Sequence, residues 1–135
     1  MEFHRGRLID HVHLVVRDLA ASRRFYEAVL AAVGVPLGGD GDGYFFADEL
    51  FVSAGPPYTG RVHLAFQAAD HPTVDRFHAA GLAAGGRDNG APGERSYHPG
   101  YYAAFLLDPD GNNIEAVDHG PAERSAASVV LRAPG

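Results

Sequence analysis

The sequence predicts an α+β fold built from two β-α-β-β-β modules. The first observation is an internal repeat: shifted by 52 positions, residues 11–34 fall without a gap on residues 63–86, and nine of the 24 aligned positions are identical. The second is that each copy begins with a strand pattern and continues with a helical one. The third is a pair of short strand patterns after each helix. Two copies of one supersecondary unit are therefore expected.

The chain divides into two modules and a tail within one domain. Module one covers about residues 8–56, module two about residues 61–119, and the tail residues 120–135. A chain of 135 residues with 46% apolar residues can bury one core without disulfides or a structural metal. The tail has one short apolar stretch, Val129–Leu131, which is either part of a frayed end or an added edge strand.

The first module begins with a strand pattern at residues 9–16, where polar and apolar side chains alternate. Asp18 stands where a helix N-cap is expected, and Gly34 where a glycine ends a helix. A helix is therefore expected near residues 20–33. Two strand patterns follow, at residues 43–47 and 50–53.

The second module repeats this order. Asp70 and Gly86 occupy the positions of Asp18 and Gly34, so they are expected to begin and end the second helix. Strand patterns follow at residues 101–107 and 113–117, with a Pro- and Gly-containing turn between them. Residues 87–100 are polar and rich in Gly and Pro, which predicts a long loop suited to a lid or binding role.

The composition excludes several classes of chemistry. There is no Lys and no Cys, which rules out Schiff-base chemistry, thiolate nucleophiles and cysteine zinc sites. The formal net charge of −6 argues against nucleic acid and anionic membrane surfaces as partners. No apolar run is long enough to span a bilayer, and a cytoplasmic protein is expected. The eight His residues suit metal ligation or acid–base chemistry.

Two segments, DHVHLVVRDLAASRRFYEAVL and HLAF…LLDPDGNNIEAV, resemble the vicinal oxygen chelate superfamily. That group contains glyoxalase I, fosfomycin-resistance thiol transferases, extradiol dioxygenases, methylmalonyl-CoA epimerase and bleomycin-resistance binding proteins. The resemblance covers about residues 8–119. It implies a curled, cup-shaped mixed sheet that holds a divalent metal ion (manganese, iron, zinc or nickel) and a small-molecule substrate. It also implies a homodimer, because several relatives build one cup from modules of two chains.

Carried over position by position, the resemblance implies that His11, His63 and Glu115 are the metal ligands. Strand parity agrees, since each of these residues lies opposite its strand's apolar neighbours. Two imidazoles and one carboxylate form a facial triad that leaves coordination positions open. Histidines in strands also occur as ordinary core or surface residues, so a metal-free chain is the alternative.

Other positions depart from the relatives or extend the site. Extradiol dioxygenases and fosfomycin transferases resemble each other in having Tyr where this chain has Phe105. Tyr101 lies on the same face as Phe105 and could reach the cup from further along. Glu49 stands too early to be the second carboxylate of glyoxalase I. We expect His13 and Tyr101 to handle protons.

Arg95 and His98 lie on the glycine-rich segment. With Phe105, they are expected to contact the substrate.

Two functions follow as expectations. The first is a metal-dependent enzyme with lyase, isomerase, thiol transferase or dioxygenase chemistry on a small oxygen-chelating molecule. The second is a metal-free drug- or metabolite-binding protein of the bleomycin-resistance type, which would use the same cup to sequester its ligand.

Overall fold

A computed structural model describes residues 2–123 and 127–132. These residues form ten strands and two helices: β1 (Glu2–Arg5), β2 (Val12–Val16), α1 (Leu19–Ala32), β3 (Gly39–Gly41), β4 (Tyr44–Ala47), β5 (Leu50–Ala54), β6 (His63–Gln67), α2 (His71–Ala83), β7 (Arg87–Glu94), β8 (Tyr102–Leu107), β9 (Asn113–Asp118) and β10 (Val129–Arg132). Neither of these helices is long and apolar enough to cross a membrane.

The strands form two four-stranded sheets that correspond to the two predicted modules. The first sheet has the order β2-β5-β4-β3, and the second sheet has the order β6-β9-β8-β7. In each sheet the module's first strand runs parallel to its last strand, and the other pairings are antiparallel. The predicted α+β fold of two β-α-β-β-β units is confirmed, and the two sheets do not close into one.

Both helices begin at the predicted residues. The Asp18 carboxylate accepts a hydrogen bond from the backbone N–H of Ala21 at 3.1 Å, and Asp70 accepts one from Thr73 at 2.9 Å. Each carboxylate satisfies a backbone donor that has no partner inside its helix. These caps fix where each chain segment leaves its strand and enters its helix.

The helices join the two modules by packing against each other. Gly81 of α2 makes this approach possible, because a Cβ there would lie 2.9 Å from Cγ1 of Val29 and would collide with Leu106. Phe25 and Phe77 are fully buried in the core that the modules share. The two helices thus form a large part of the contact between the modules, and the opposite face of each sheet is free of helices.

The prediction of a loop over residues 87–100 was wrong for its first half, which is strand β7. This strand pairs with β8, but its register shifts between Asp88 and Gly90 and again between Gly90 and Gly93. Gly90 has φ +152°, a conformation that side chains rarely adopt. The glycines that indicate a loop in the sequence lie at irregularities of a strand instead.

Three smaller differences concern the ends of elements. The glycine with positive φ that follows α2 is Gly85 (φ +99°), whereas Gly86 was expected to end this helix. Gly86 instead lies against the Phe25 ring. Strand β3 was not predicted, because its sequence of Gly and Asp has low strand propensity. The apolar stretch of the tail belongs to β10, which pairs with β1 in a separate two-stranded sheet.

Candidate functional site

The centre of the candidate site is the carboxylate of Glu115 on β9. Its side chain is only 1% exposed, yet it lies on the face of the second sheet that is turned away from α2. The Nε2–H of His63 donates to Oε1 at 2.7 Å, and the Tyr101 hydroxyl donates to Oε2. A buried carboxylate needs such partners, because removing it from water without them is costly.

The strand register explains why these residues meet. β6 runs parallel to β9, with His63 opposite Asn113 and Ala65 opposite Glu115. His63 therefore lies on the same face as Glu115, because its partner Asn113 is two residues before Glu115 on β9. Its imidazole is 53% exposed, so one side of the pair is accessible to a ligand.

Tyr101 closes the other side of the Glu115 carboxylate. Burial, together with the hydrogen bond to Glu115, raises the pKa of Tyr101 to about 12. The phenol is therefore protonated and a hydrogen-bond donor throughout the neutral range. Tyr101, which was expected to reach the cup from further along than Phe105, contacts the Glu115 carboxylate. A part for Tyr101 in proton transfer stays a prediction.

Phe105 and Arg95 form the wall beside this pair. Phe105 lies opposite Glu115 in the β8–β9 register, with its ring 6.0 Å from the His63 ring. The Arg95 guanidinium lies 5.3 Å from the Phe105 ring centroid and donates to the carbonyl oxygens of Ala91 and Gly93. Arg95 thus holds the irregular end of β7 in place, and its contact with a substrate stays a prediction.

His98 packs against Tyr101, with ring centroids 5.3 Å apart. Its Nδ1–H donates to the Pro99 carbonyl at 2.8 Å, while its Nε2 and Nδ1 of His119 share a hydrogen bond at 2.9 Å. Both imidazole rings meet the Tyr101 ring edge-on. Because the ring nitrogens of His98 are both engaged here, the residue supports Tyr101, and direct binding of substrate by His98 stays a prediction.

His13 is on the first sheet, in a separate group. Its Nε2 shares a hydrogen bond with the Ser53 hydroxyl at 2.7 Å, and its ring meets Phe51 edge-on at 5.0 Å. Phe51 in turn stacks on Tyr44 at 5.4 Å. The helix-free face of the first sheet thus carries one polar pair beside an aromatic surface.

His11 does not join His63 and Glu115 within the chain. It lies just before β2, and its Nδ1 is 2.7 Å from a carboxylate oxygen of Asp10. Across residues 2–123 and 127–132, no three His, Asp or Glu side chains are grouped so that they could hold a metal ion. One chain therefore brings together two of the three expected ligands.

Sequence reasoning missed two residues of these groups. Ser53 is the partner of His13, and Asn113 lies beside His63 in the strand register. The alternation of side chains along a strand would have indicated Asn113, because it is two residues before Glu115 and so lies on the same face. No comparable signal identifies Ser53, because its contact depends on how β2 and β5 are aligned.

Comparison with known proteins gives a consistent result. Residues 8–116 match the family model of the glyoxalase/bleomycin resistance protein/dioxygenase superfamily. A glyoxalase/bleomycin resistance protein from Albidiferax ferrireducens is 34% identical, with a TM-score of 0.70, and the match covers 82% of this chain and 97% of that one.

Two more distant structures share the fold. A family enzyme from Burkholderia phytofirmans is 24% identical, with a TM-score of 0.64 and coverage of 80% and 95%. A lactoylglutathione lyase from Agrobacterium tumefaciens is 22% identical, with a TM-score of 0.61 and coverage of 83% and 93%. No curated protein is significantly similar in sequence.

Proposed function

Because the chain belongs to the glyoxalase/bleomycin resistance protein/dioxygenase superfamily, we propose that it is a metal-dependent enzyme acting on a small oxygen-chelating molecule. The observation that carries the proposal is the convergence of His63 and the buried Glu115 carboxylate on one accessible face. An imidazole nitrogen and a carboxylate oxygen are two of the three donors of a facial triad.

His63 and Glu115 would hold a divalent metal ion. They fit this task because the carboxylate is buried and already held at its second oxygen by Tyr101, which leaves Oε1 directed toward His63. Hydrogen bonds of this kind orient metal ligands and restrict their motion. A bound divalent ion supplies Lewis-acid polarisation of the substrate oxygens.

The third ligand comes from a second copy of the chain. β2 and β6 each lie at an edge of their sheet, and no strand of the described residues is paired with their outer edges. In the proposed homodimer, β2 of one chain lies beside β6 of the other, which covers both edges. His11 of the partner subunit then completes the set with His63 and Glu115.

The same pairing brings the two helix-free faces together around the substrate. The partner's His13 has its Nε2 fixed by a hydroxyl, so its Nδ1 is the atom that accepts or returns a proton. Tyr101 donates its hydrogen bond to Glu115 and holds that carboxylate still. The ring of Phe105 excludes water from one side of the substrate.

The test is metal analysis of protein purified without chelator, followed by a metal scan with a substrate panel of 2-oxoaldehyde–thiol adducts, catechols and epoxides. We expect stoichiometric metal that is lost in His63→Ala. His78→Ala is the matched control, because His78 also pairs with a carboxylate, that of Asp88, but on the helix side. Equal metal in all three proteins would contradict the proposal.

A second candidate is a metal-free binding protein of the bleomycin-resistance type. The aromatic surface on the first sheet favours it, since Phe51 and Tyr44 are stacked and half-exposed and would accept a flat apolar ligand. This function predicts no metal in the wild-type protein and ligand binding that does not change in His63→Ala.

A further inference from the structure

A row of four residues crosses the second sheet at the level of His63. Arg87 lies opposite Leu107, Leu107 opposite Asn113, and Asn113 opposite His63. Residues paired in this way project to one face of a sheet. Arg87 is therefore on the face of His63, and its neighbour Asp88 points the other way, to His78 on α2.

Arg61 approaches the same place from the segment that leads into β6. The backbone next to it is fixed, because the Val62 N–H donates to the Asn112 side chain and the Val62 carbonyl accepts from the Asn113 N–H, both at 3.0 Å. Arg61 and Arg87 line one open cavity of about 630 Å³ together with His63. The two arginines thus border a space that reaches the candidate metal ligand.

Neither guanidinium has an ion pair or hydrogen bond with any residue in the described part of the chain. By contrast, Arg17, Arg23 and Arg132 have carboxylate partners. The one carboxylate that lines the cavity, Asp110, accepts hydrogen bonds from the backbone and side chain of Arg17.

Two amides complete the polar lining. The Asn89 side chain donates to the Asn113 side chain at 3.1 Å, which fixes both groups between Arg87 and His63. One N–H of Asn89 and both N–H groups of Asn113 remain as neutral donors among the residues that line the cavity. Two unpaired guanidinium groups with amide donors between them match the acceptors of a carboxylate or phosphate group.

We propose that Arg61 and Arg87 form an anion subsite that binds a carboxylate or phosphate group of the substrate. This inference rests on the proposed function for its link to a substrate, because His63 lies at one end of the same row. Neighbouring strands are about 4.8 Å apart, so the subsite lies within about 15 Å of the metal ligand. The substrate class is a small organic anion with its reacting oxygens at the other end.

The test measures the binding of inorganic phosphate to chelator-treated protein by ¹H–¹⁵N NMR, through the side-chain amide resonances of Asn89 and Asn113. We expect saturable shifts in the wild type and affinity about tenfold lower in Arg61→Gln and in Arg87→Gln, as loss of one charged hydrogen bond predicts. Arg24→Gln is the matched control, because Arg24 is an exposed arginine of helix α1, and it should bind phosphate as the wild type does.

Two outcomes would overturn the subsite: no saturable shift in the wild type, or equal losses in all three variants, which would indicate general charge attraction. A parallel titration with malonate, a carboxylate probe, is compared with the phosphate titration. The tighter-binding probe shows which of the two anion classes the subsite prefers. Because the measurement is made without metal, its failure concerns the subsite alone. Failure of the proposed function would instead appear as absent metal in the untreated wild type.

Discussion

His63 and Glu115 lie on neighbouring parallel strands, and the imidazole Nε2 is 2.7 Å from the carboxylate Oε1. The pair combines an accessible imidazole with a carboxylate that is almost fully buried. Glu115 receives a second hydrogen bond from Tyr101, so both of its oxygens are engaged. The proposed metal site depends on that arrangement.

Replacing Glu115 by Gln should remove metal binding while the fold persists. The amide has the size of the carboxylate but no charge, and one of the two accepting oxygens becomes an NH2 group, which faces a donor and cannot accept from it. We expect metal content to fall to background, with a modest decrease in melting temperature. Elemental analysis and thermal melting give the two readings, and Glu27→Gln on the exposed face of α1 serves as the control. A Glu115→Gln protein that retains stoichiometric metal would contradict the assignment.

Tyr101→Phe should weaken metal affinity by about 10- to 100-fold, the usual effect of losing a group that orients a ligand. The same substitution should also change how the free energy of unfolding depends on pH above pH 10. Folding raises the pKa of Tyr101 from 10.0 to about 12, so its contribution is complete below pH 10 and is lost as the pH rises to about 12. Tyr26 acts in the same direction, because burial and Asp108 raise its pKa as well.

The loss of stability between pH 10 and 12 should therefore be smaller in Tyr101→Phe than in the wild type. Urea unfolding at several pH values measures it, with Tyr58→Phe as the control for an exposed tyrosine. An identical pH dependence in wild type and Tyr101→Phe would show that the phenol is not held by Glu115 in solution.

Replacing Arg95 or His98 by Ala should weaken substrate binding or turnover and leave metal content unchanged. Arg95 holds the irregular end of β7 through two backbone carbonyls, and His98 supports the Tyr101 ring. Hydrogen exchange of β7 amides, measured beside kinetics on the substrate found by the panel, tests this. A double variant with wild-type kinetics would show that the segment is inert surface.

Gly81→Ala should destabilise the fold by about 1–3 kcal/mol, the usual effect of overpacking a core. The added methyl would meet Leu106 and Val29 where α2 crosses α1. Gly60→Ala is the matched control, since a Cβ there has no atom within 4 Å. Chemical denaturation gives the free energies of unfolding, and equal values for the two variants would mean that the helices do not pack as closely as described.

The sequence predicted the elements whose pattern is local. Strand alternation identifies the faces of β2, and Asp18 and Asp70 identify both helix starts, since a cap depends on residues close in the chain. β7 was missed because pairing with β8 makes it a strand despite its Gly and Pro residues. Tertiary contacts determine that pairing, and local propensity does not.

The candidate site divides in the same way. The repeat register and the resemblance together indicated His63 and Glu115, and the structure brings them into contact. The position of His11 depends on how the two sheets are arranged, which the repeat does not encode. Within the described residues His11 is not grouped with His63 and Glu115, and in the proposed homodimer a second chain would supply it.

The most direct test of the account is metal analysis after co-refolding an equimolar mixture of His11→Ala and His63→Ala chains. In a dimer whose sites take His11 from one chain and His63 with Glu115 from the other, each mixed dimer has one intact site. Each variant alone should be metal-free, and the mixture should recover about a quarter of the wild-type metal content, since half of the dimers are mixed. No recovery in the mixture, or full metal content in His11→Ala alone, would contradict the account.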